Sequence, residues 1–234
     1  MLSTERIVSA GRRLFNSVGE RFTMSMLAQE LGVAPSSLYN HVESKADVLA
    51  KISDDVVRAI DLSALRELTA VESHPQRDAA GDARRWRQAT EVWARSYVEA
   101  FTQEPALVAT LAVTPIARAP QTLAMYEQVI TAFLHAGWPE QEVLPLVESL
   151  EAFLLGSALD AAAPDDIFSP GKHTAAAPQM ARAYRHHAAT TGPEAARQAF
   201  QLGIGAFLDG LEARLRHLLE EQKHHDEQQK HRGR

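Results

Sequence analysis

The chain has 234 residues and a formal net charge of −6, and hydrophobic residues make up 45% of it. These values are typical of a globular protein with a buried core, and the acidic excess argues against a wholly basic nucleic-acid coat. The absence of cysteine excludes disulfides, thiolate catalysis and cysteine-ligated metal centres. The sequence contains neither a run of about 18 apolar residues nor a signal-peptide pattern, so we expect a cytoplasmic protein without a membrane-spanning helix.

The N-terminal part of the chain shows the hydrophobic spacing of four short helices joined by turns. Apolar side chains recur every three or four positions from Ile7 to Val18, which predicts an amphipathic first helix. Thr23 and Ser44 each precede an apolar stripe and are the predicted N-caps of the second and fourth helices. Pro35 is predicted to begin a third helix of about two turns.

The predicted domain organisation follows from where this periodicity is lost and regained. Residues 61–84 are polar and rich in turn-forming residues, so we expect a linker or loop there. Helical periodicity returns over residues 85–222, while residues 223–234 are almost wholly polar and are predicted to form a frayed tail. The sequence therefore predicts an all-α protein of about nine to ten helices, in which a helical module over residues 1–60 precedes a larger helical domain.

Residues 23–42 have the pattern of a helix-turn-helix, with a short helix, a glycine-containing turn and a second short helix. Leu38 and Val42 are expected to anchor the second helix to the core, so that its polar side chains face outward. Hydroxyl, amide and imidazole groups on such a face can exchange hydrogen bonds with DNA bases and phosphates. Thr23 and Lys45 stand at helix starts, where backbone N–H groups favour a phosphate.

Charge does not distinguish a DNA-reading surface from a solvated helical cap, because residues 1–45 carry a net charge of only +1. Residues 27–33 (LAQELGV), 37–42 (SLYNHV) and 44–49 (SKADVL) resemble the DNA-binding signature of the TetR family of transcriptional regulators. The resemblance implies a homodimer that binds a palindromic double-stranded DNA operator and is released by a small-molecule effector. It also implies that seven side chains contact DNA: Thr23, Ser36, Ser37, Tyr39, Asn40, His41 and Lys45.

Most of the bulky aromatic side chains lie between residues 86 and 153, on predicted helices. Core packing accounts for any one of them, but a stripe of such bulk is hard to fill without leaving space, which favours a cavity for a small, largely apolar effector. We expect the effector to contact five residues of this region: Trp93, Tyr97, Phe133, His135 and Trp138.

The final predicted helix carries leucine and isoleucine at alternating spacings of four and three, the pattern of a helix–helix seam. We expect this seam to form the dimer interface through Ile204, Leu208, Leu211, Leu215 and Leu218. Together with the apolar helix after Pro139, it would build a four-helix interface between two copies. The alternative is that both helices pack inside one subunit.

Two functions compete with a ligand-released repressor: a regulator controlled by a protein partner, and an enzyme. The sequence shows no nucleophile–base spacing, no glycine-rich phosphate loop and no HExxH-type motif, so we expect no catalytic residue. The adjacent histidines at 186–187 and 224–225 point to opposite sides of a helix and cannot easily share an ion. We therefore expect no metal site and no cofactor. The resemblance leaves open a magnesium ion that accompanies the ligand near Asp160, Asp165, Asp166 and His173.

Overall fold

The computed structural model describes residues 2–70, 78–105, 107–108, 115–164, 166–187 and 193–232. Within these ranges all regular structure is helical, which confirms the predicted all-α class. The α-helices are α1 (Thr4–Val18), α2 (Met24–Leu31), α3 (Pro35–Leu38), α4 (Lys45–Val56), α5 (Ser63–Ala70), α6 (Ala79–Thr102), α7 (Pro120–Ala136), α8 (Glu140–Asp160), α9 (Pro178–His187) and α10 (Pro193–Arg232). None of the described helices combines the length and hydrophobicity needed to cross a membrane.

The starts of α2 and α4 and the end of α2 lie where the sequence predicts them, because local capping contacts fix them. Thr23 Oγ1 accepts a hydrogen bond from the Met26 N–H at 3.2 Å and caps α2. Ser44 Oγ accepts one from the Asp47 N–H at 3.1 Å and caps α4. Gly32 ends α2 with φ +64, a left-handed conformation that glycine adopts without strain.

The third helix is shorter than the two turns predicted. It ends at Leu38 after one turn, and the chain continues through turns in which the N–H groups of His41 and Val42 donate to the Leu38 carbonyl at 2.9 and 3.0 Å. Ser, Tyr, Asn and His are weak helix formers, which explains why the regular helix stops here. The anchoring prediction is confirmed, since the exposed fractions of Leu38 and Val42 are 0% and 2%.

The segment predicted as a linker contains a helix. Within residues 61–84, α5 occupies Ser63–Ala70 and the first turns of α6 begin at Ala79. Leu65 of α5 is buried, and α5 packs against α6 and α7. Asp78 caps α6 by accepting a hydrogen bond from the Gly81 N–H at 3.1 Å. The turn-forming triplet at 73–75 lies outside the described residues.

The predicted polar tail is also helical, because α10 runs on to Arg232. Neither proline nor glycine interrupts residues 223–232, and Glu, Gln, Lys and Arg are good helix formers. Lys223, His224, His225 and Gln228 are exposed, as the polarity of the segment indicated, but that polarity did not indicate loss of helix.

Helix α6 forms the centre of the larger domain and packs against α5, α8 and α10. Its aromatic stripe is fully buried, and the Trp86 ring lies 5.1 Å from Phe133 and 5.2 Å from Trp138 in edge-on contacts. Tyr97 likewise packs between Trp93, at 5.9 Å, and Phe101, at 5.0 Å. The bulky residues between 86 and 153 thus supply the core that holds α7, α8 and α10 in place.

Candidate DNA-binding surface and internal cavity

The outward face predicted for the helix-turn-helix is present on the surface. Ser36, Tyr39, Asn40 and His41 are exposed, and Ser37 is half-buried. The Tyr39 side chain is 55% exposed although it directly follows the buried Leu38. Hydrogen-bonding side chains are therefore displayed on a segment whose apolar residues fix it to the core.

The structure brings Lys45 close to the residue before Thr23. The Lys45 ammonium lies over the Phe22 ring, 5.7 Å from its centroid, and Phe22 is buried. This cation–π contact sets the first residue of α4 beside the start of α2. Two exposed helix N-termini on one side of the module can offer backbone N–H groups to phosphates.

Two polar contacts between described side chains help to join the N-terminal module to the larger domain, beside the packing of Val57–Ala59 against α6 and α7. In the first, Arg12 Nε of α1 donates a hydrogen bond to Glu104 Oε1 at 2.6 Å. Glu104 lies just after the end of α6. The Arg12 guanidinium also lies 3.8 Å from the Asp55 carboxyl. Glu104 is buried, so this ion pair is poorly screened by solvent.

The second contact is fully buried and joins α4 to α7. Asp54 Oδ1 accepts hydrogen bonds from the Thr122 N–H at 2.8 Å and from the Thr122 hydroxyl at 3.0 Å. Helix α7 has Ala119 at its own N-cap and no side-chain cap there. Asp54 therefore caps α7 from another helix, and the N-terminus of α7 is tied to the helix that begins at Lys45.

A cavity of about 420 Å³ lies between α4, α7 and α8, next to this contact. Its apolar walls come mainly from α7 and α8. They include Ile116, Leu123, Ile130, Leu144 and Val147. A separate and more polar cleft of about 440 Å³ between α5 and α7 has Arg58 and Arg66 on its lining.

The polar lining of the α4–α7–α8 cavity centres on Glu151. Its Oε1 accepts hydrogen bonds from Tyr97 Oη at 3.0 Å and from Tyr126 Oη. Burial, with the adjacent Glu151 carboxylate, raises the pKa of Tyr126, and burial also raises the pKa of Tyr97. Both phenols therefore stay neutral donors. Ser53 of α4 lines the same cavity, 1% exposed, and its Oγ has no hydrogen-bond partner among the described residues.

The predicted effector residues lie elsewhere. Trp93, Tyr97, Phe133 and Trp138 are buried in the core, His135 is half-buried, and none of them lines either of the two larger cavities formed by described residues. Tyr97 reaches the cavity only through its bond to Glu151. An effector contact with these residues stays a prediction.

Sequence patterns missed the residues that do line the cavity, Ser53, Tyr126 and Glu151 among them. The available signal was Glu151 itself, a carboxylate close to the buried Leu150 and Leu154 of α8. In the ranges that the structure describes, no three His, Asp or Glu side chains are grouped so that they could hold a metal ion.

The predicted dimer seam is largely covered in the single chain. Ile204, Leu208 and Leu215 are buried there, where α10 packs on α6, and a dimer contact through the seam stays a prediction. Leu211 and Leu218 are half-buried. The spacing identified a buried stripe correctly, but it could not identify which helix covers the stripe.

Comparisons with known proteins cover nearly the whole chain. The family model for bacterial regulatory proteins of the tetR family matches residues 7–52, and the model for the tetracyclin repressor-like C-terminal domain matches residues 80–215. The chain is 25% identical over 225 residues to the tetracycline repressor protein class E of Escherichia coli, and the match covers 95% of each chain.

Solved structures share the fold. The Streptomyces coelicolor TetR family protein ActR, crystallised with (S)-DNPA, matches with a TM-score of 0.68 at 19% identity over 92% of this chain and 99% of that chain. BioQ, crystallised with its double-stranded DNA operator, matches with a TM-score of 0.58 at 19% identity over 91% and 99%.

We expect Tyr39→Ala and Lys45→Ala to weaken DNA binding without unfolding the module. Tyr39 is exposed, so its removal should leave the fold intact. Loss of a phosphate contact at Lys45 should reduce the magnitude of the slope of log affinity against log salt by about 0.9 for each bound subunit. Fluorescence anisotropy on labelled operator DNA at several salt concentrations measures both effects. Lys172→Ala removes the same charge from an exposed loop and is the control. Parental affinity in both variants would show that the DNA-binding surface lies elsewhere.

Proposed function

Because this chain belongs to the TetR family of transcriptional regulators, we propose that it is a dimeric repressor which a small-molecule ligand releases from a palindromic operator. Family members are DNA-binding regulators, and the chain is accordingly a regulator rather than an enzyme. The observation that carries the proposal is the placement of α4. It begins at Lys45 on the DNA-binding module and supplies Ser53 to the cavity between α4, α7 and α8.

Operator reading is assigned to the exposed face that contains Ser36, Tyr39 and His41. Phosphates would be held at the starts of α2 and α4, and base edges would be read from the turns after Leu38. BioQ, which shares this fold, was crystallised on a double-stranded operator. Helix-turn-helix dimers place their two reading elements about 34–36 Å apart, so the operator should hold two inverted half-sites one helical turn apart.

Dimerisation is assigned to the outer faces of α8 and α10. Leu159 of α8 is 49% exposed and Leu202 of α10 is 78% exposed in the single chain. Gly156 and Gly205 on the same two helices have open space around them, so a partner helix could approach closely. Pairing these faces across a twofold axis gives a four-helix interface and leaves the buried stripe at Leu208 untouched.

We assign release of the protein from its operator to a displacement of α4. A ligand in the cavity would contact Ala50 and Ser53, which lie on the same helix as Lys45. Movement of α4 would alter the spacing of the two reading elements in the dimer. Ligand and operator must then weaken each other's binding by the same factor. ActR, which shares this fold, was crystallised with the small molecule (S)-DNPA.

The proposal is tested by footprinting the purified protein on the DNA that flanks its own coding region. We expect protection of an inverted repeat and binding of one dimer per repeat, measured by sedimentation of the complex. A small-molecule library added to the same reaction should contain compounds that abolish the footprint. A protein that binds all DNA equally, with no protected repeat, would contradict the proposal.

We expect Leu202→Glu to convert the dimer into folded monomers at micromolar concentration. Burying a leucine is worth about 1.5–3 kcal/mol, and a twofold interface loses the contact twice. The residue is 78% exposed in one chain, so folding should be retained. Leu134→Glu, on an exposed site of α7, is the control and should stay dimeric. Analytical ultracentrifugation measures both, and an unchanged dimer in Leu202→Glu would rule out this face.

A further inference from the structure

The α4–α7–α8 cavity combines apolar walls with carboxylates, and its described lining includes no Lys, Arg or His. We propose that its ligand is a small molecule with a positively charged nitrogen on an apolar body, such as a protonated arylalkylamine. The inference rests on the proposed function and specifies the chemical class of effector that this site takes.

Three carboxylates face the space. Glu127 and Glu148 are exposed at its rim and Glu151 is half-buried within it. Among the described residues the ion pairs of the chain lie elsewhere, and none of these three carboxylates takes part in one. Carboxylates on the walls of a low-dielectric cleft focus a negative potential in it. A cation is attracted there, whereas an anionic ligand must approach three like charges.

Glu151 is oriented for a ligand. The hydroxyls of Tyr97 and Tyr126 both donate to Oε1, which leaves Oε2 for a further donor. Because both phenols are held neutral, they fix the carboxylate in place without neutralising its charge. An ammonium N–H group that reaches Oε2 would form a charge-assisted hydrogen bond, which is stronger than one between neutral groups.

Ser53 supplies independent support for a ligand. Its hydroxyl is almost completely buried, lines the cavity and has no partner in the described part of the chain. A buried hydroxyl without a hydrogen bond is costly and rare in native proteins. The Ser53 oxygen can accept a hydrogen bond from an ammonium group. A cationic ligand would therefore supply hydrogen-bond donors to both Glu151 and Ser53.

The remaining walls suit an apolar body. Leu123, Ile130 and Val147 face the cavity, and its volume of about 420 Å³ lies within the usual range for small-molecule sites. A flat hydrocarbon with one amine matches this division between apolar walls and acidic groups.

The test compares three probes that share a biphenyl body: biphenyl-4-ylmethylamine, biphenyl-4-ylmethanol and biphenyl-4-carboxylate. Affinity for the purified full chain is measured by titration calorimetry at neutral pH. We expect the amine to bind at least about tenfold more tightly than the alcohol, and the carboxylate to bind most weakly.

Variants of the lining residues show which side chains cause the preference for the amine over the alcohol. Glu148→Gln removes a charge from an exposed site and should reduce the amine-to-alcohol affinity ratio while the alcohol affinity stays unchanged. Glu151→Gln should reduce the ratio further, and Ser53→Ala should weaken the amine. Glu99→Gln, on the exposed side of α6 and outside the described lining, is the matched control and should keep the parental ratio.

An alcohol or carboxylate that binds as tightly as the amine would overturn the proposal, as would undetectable amine binding at millimolar concentration. A parental ratio in Glu148→Gln and Glu151→Gln would overturn it as well. Operator binding is measured in parallel. An amine that binds with the expected charge preference but leaves operator affinity unchanged would support the ligand class and refute release by this site.

Discussion

The buried contact between Asp54 and Thr122 is the constraint on which the rest of the arrangement depends. A carboxyl group removed from water is costly unless its hydrogen bonds are satisfied, and both satisfying donors here come from one residue of α7. Helix α4 cannot separate from the start of α7 without leaving that carboxyl and the first turn of α7 unpaired. The two helices therefore move together, and any ligand that displaces one displaces the other.

This coupling acts along a short, rigid element. Helix α4 has 12 residues from Lys45 to Val56 and so spans about 18 Å at 1.5 Å per residue. Its N-terminal end lies beside Phe22 in the DNA-binding module. Its C-terminal half carries Ser53 to the cavity and Asp54 to the start of α7. The Arg12–Glu104 ion pair holds the same module at a second point. Under the proposed release mechanism, these attachments would transmit a shift of α4 to the reading element.

Short sequence patterns correctly predicted the features of the structure that depend on residues close together in the sequence. The caps at Thr23 and Ser44, the turn at Gly32 and the anchoring of Leu38 depend on neighbours within four or five positions, and all are present. These local patterns predicted the helical module, and the resemblance of residues 27–49 to the TetR family predicted its DNA-binding role. The order of the helices and the all-α class followed from hydrophobic periodicity.

Features that depend on distant residues could not be predicted in the same way. Leu202 and Leu208 are both leucines of α10, yet one is exposed and the other is covered by α6. Spacing places residues on a common face but does not specify the partner of that face. The cavity could not be predicted for the same reason. Ser53 and Glu151 both line it, although almost a hundred positions separate them in the sequence.

The most direct test of the coupling between cavity and DNA-binding module is the distance between the two modules of a dimer, measured by pulsed electron spin resonance. The chain has no cysteine, so Gln29→Cys on the exposed side of α2 gives one spin label per subunit. The account predicts one narrow distance on operator DNA and a distance displaced by several ångström with bound biphenyl-4-ylmethylamine. In Asp54→Ala the amine should still bind, and the displacement should be smaller because α4 no longer moves together with α7. An identical distance with and without bound amine in the parent chain would contradict the account.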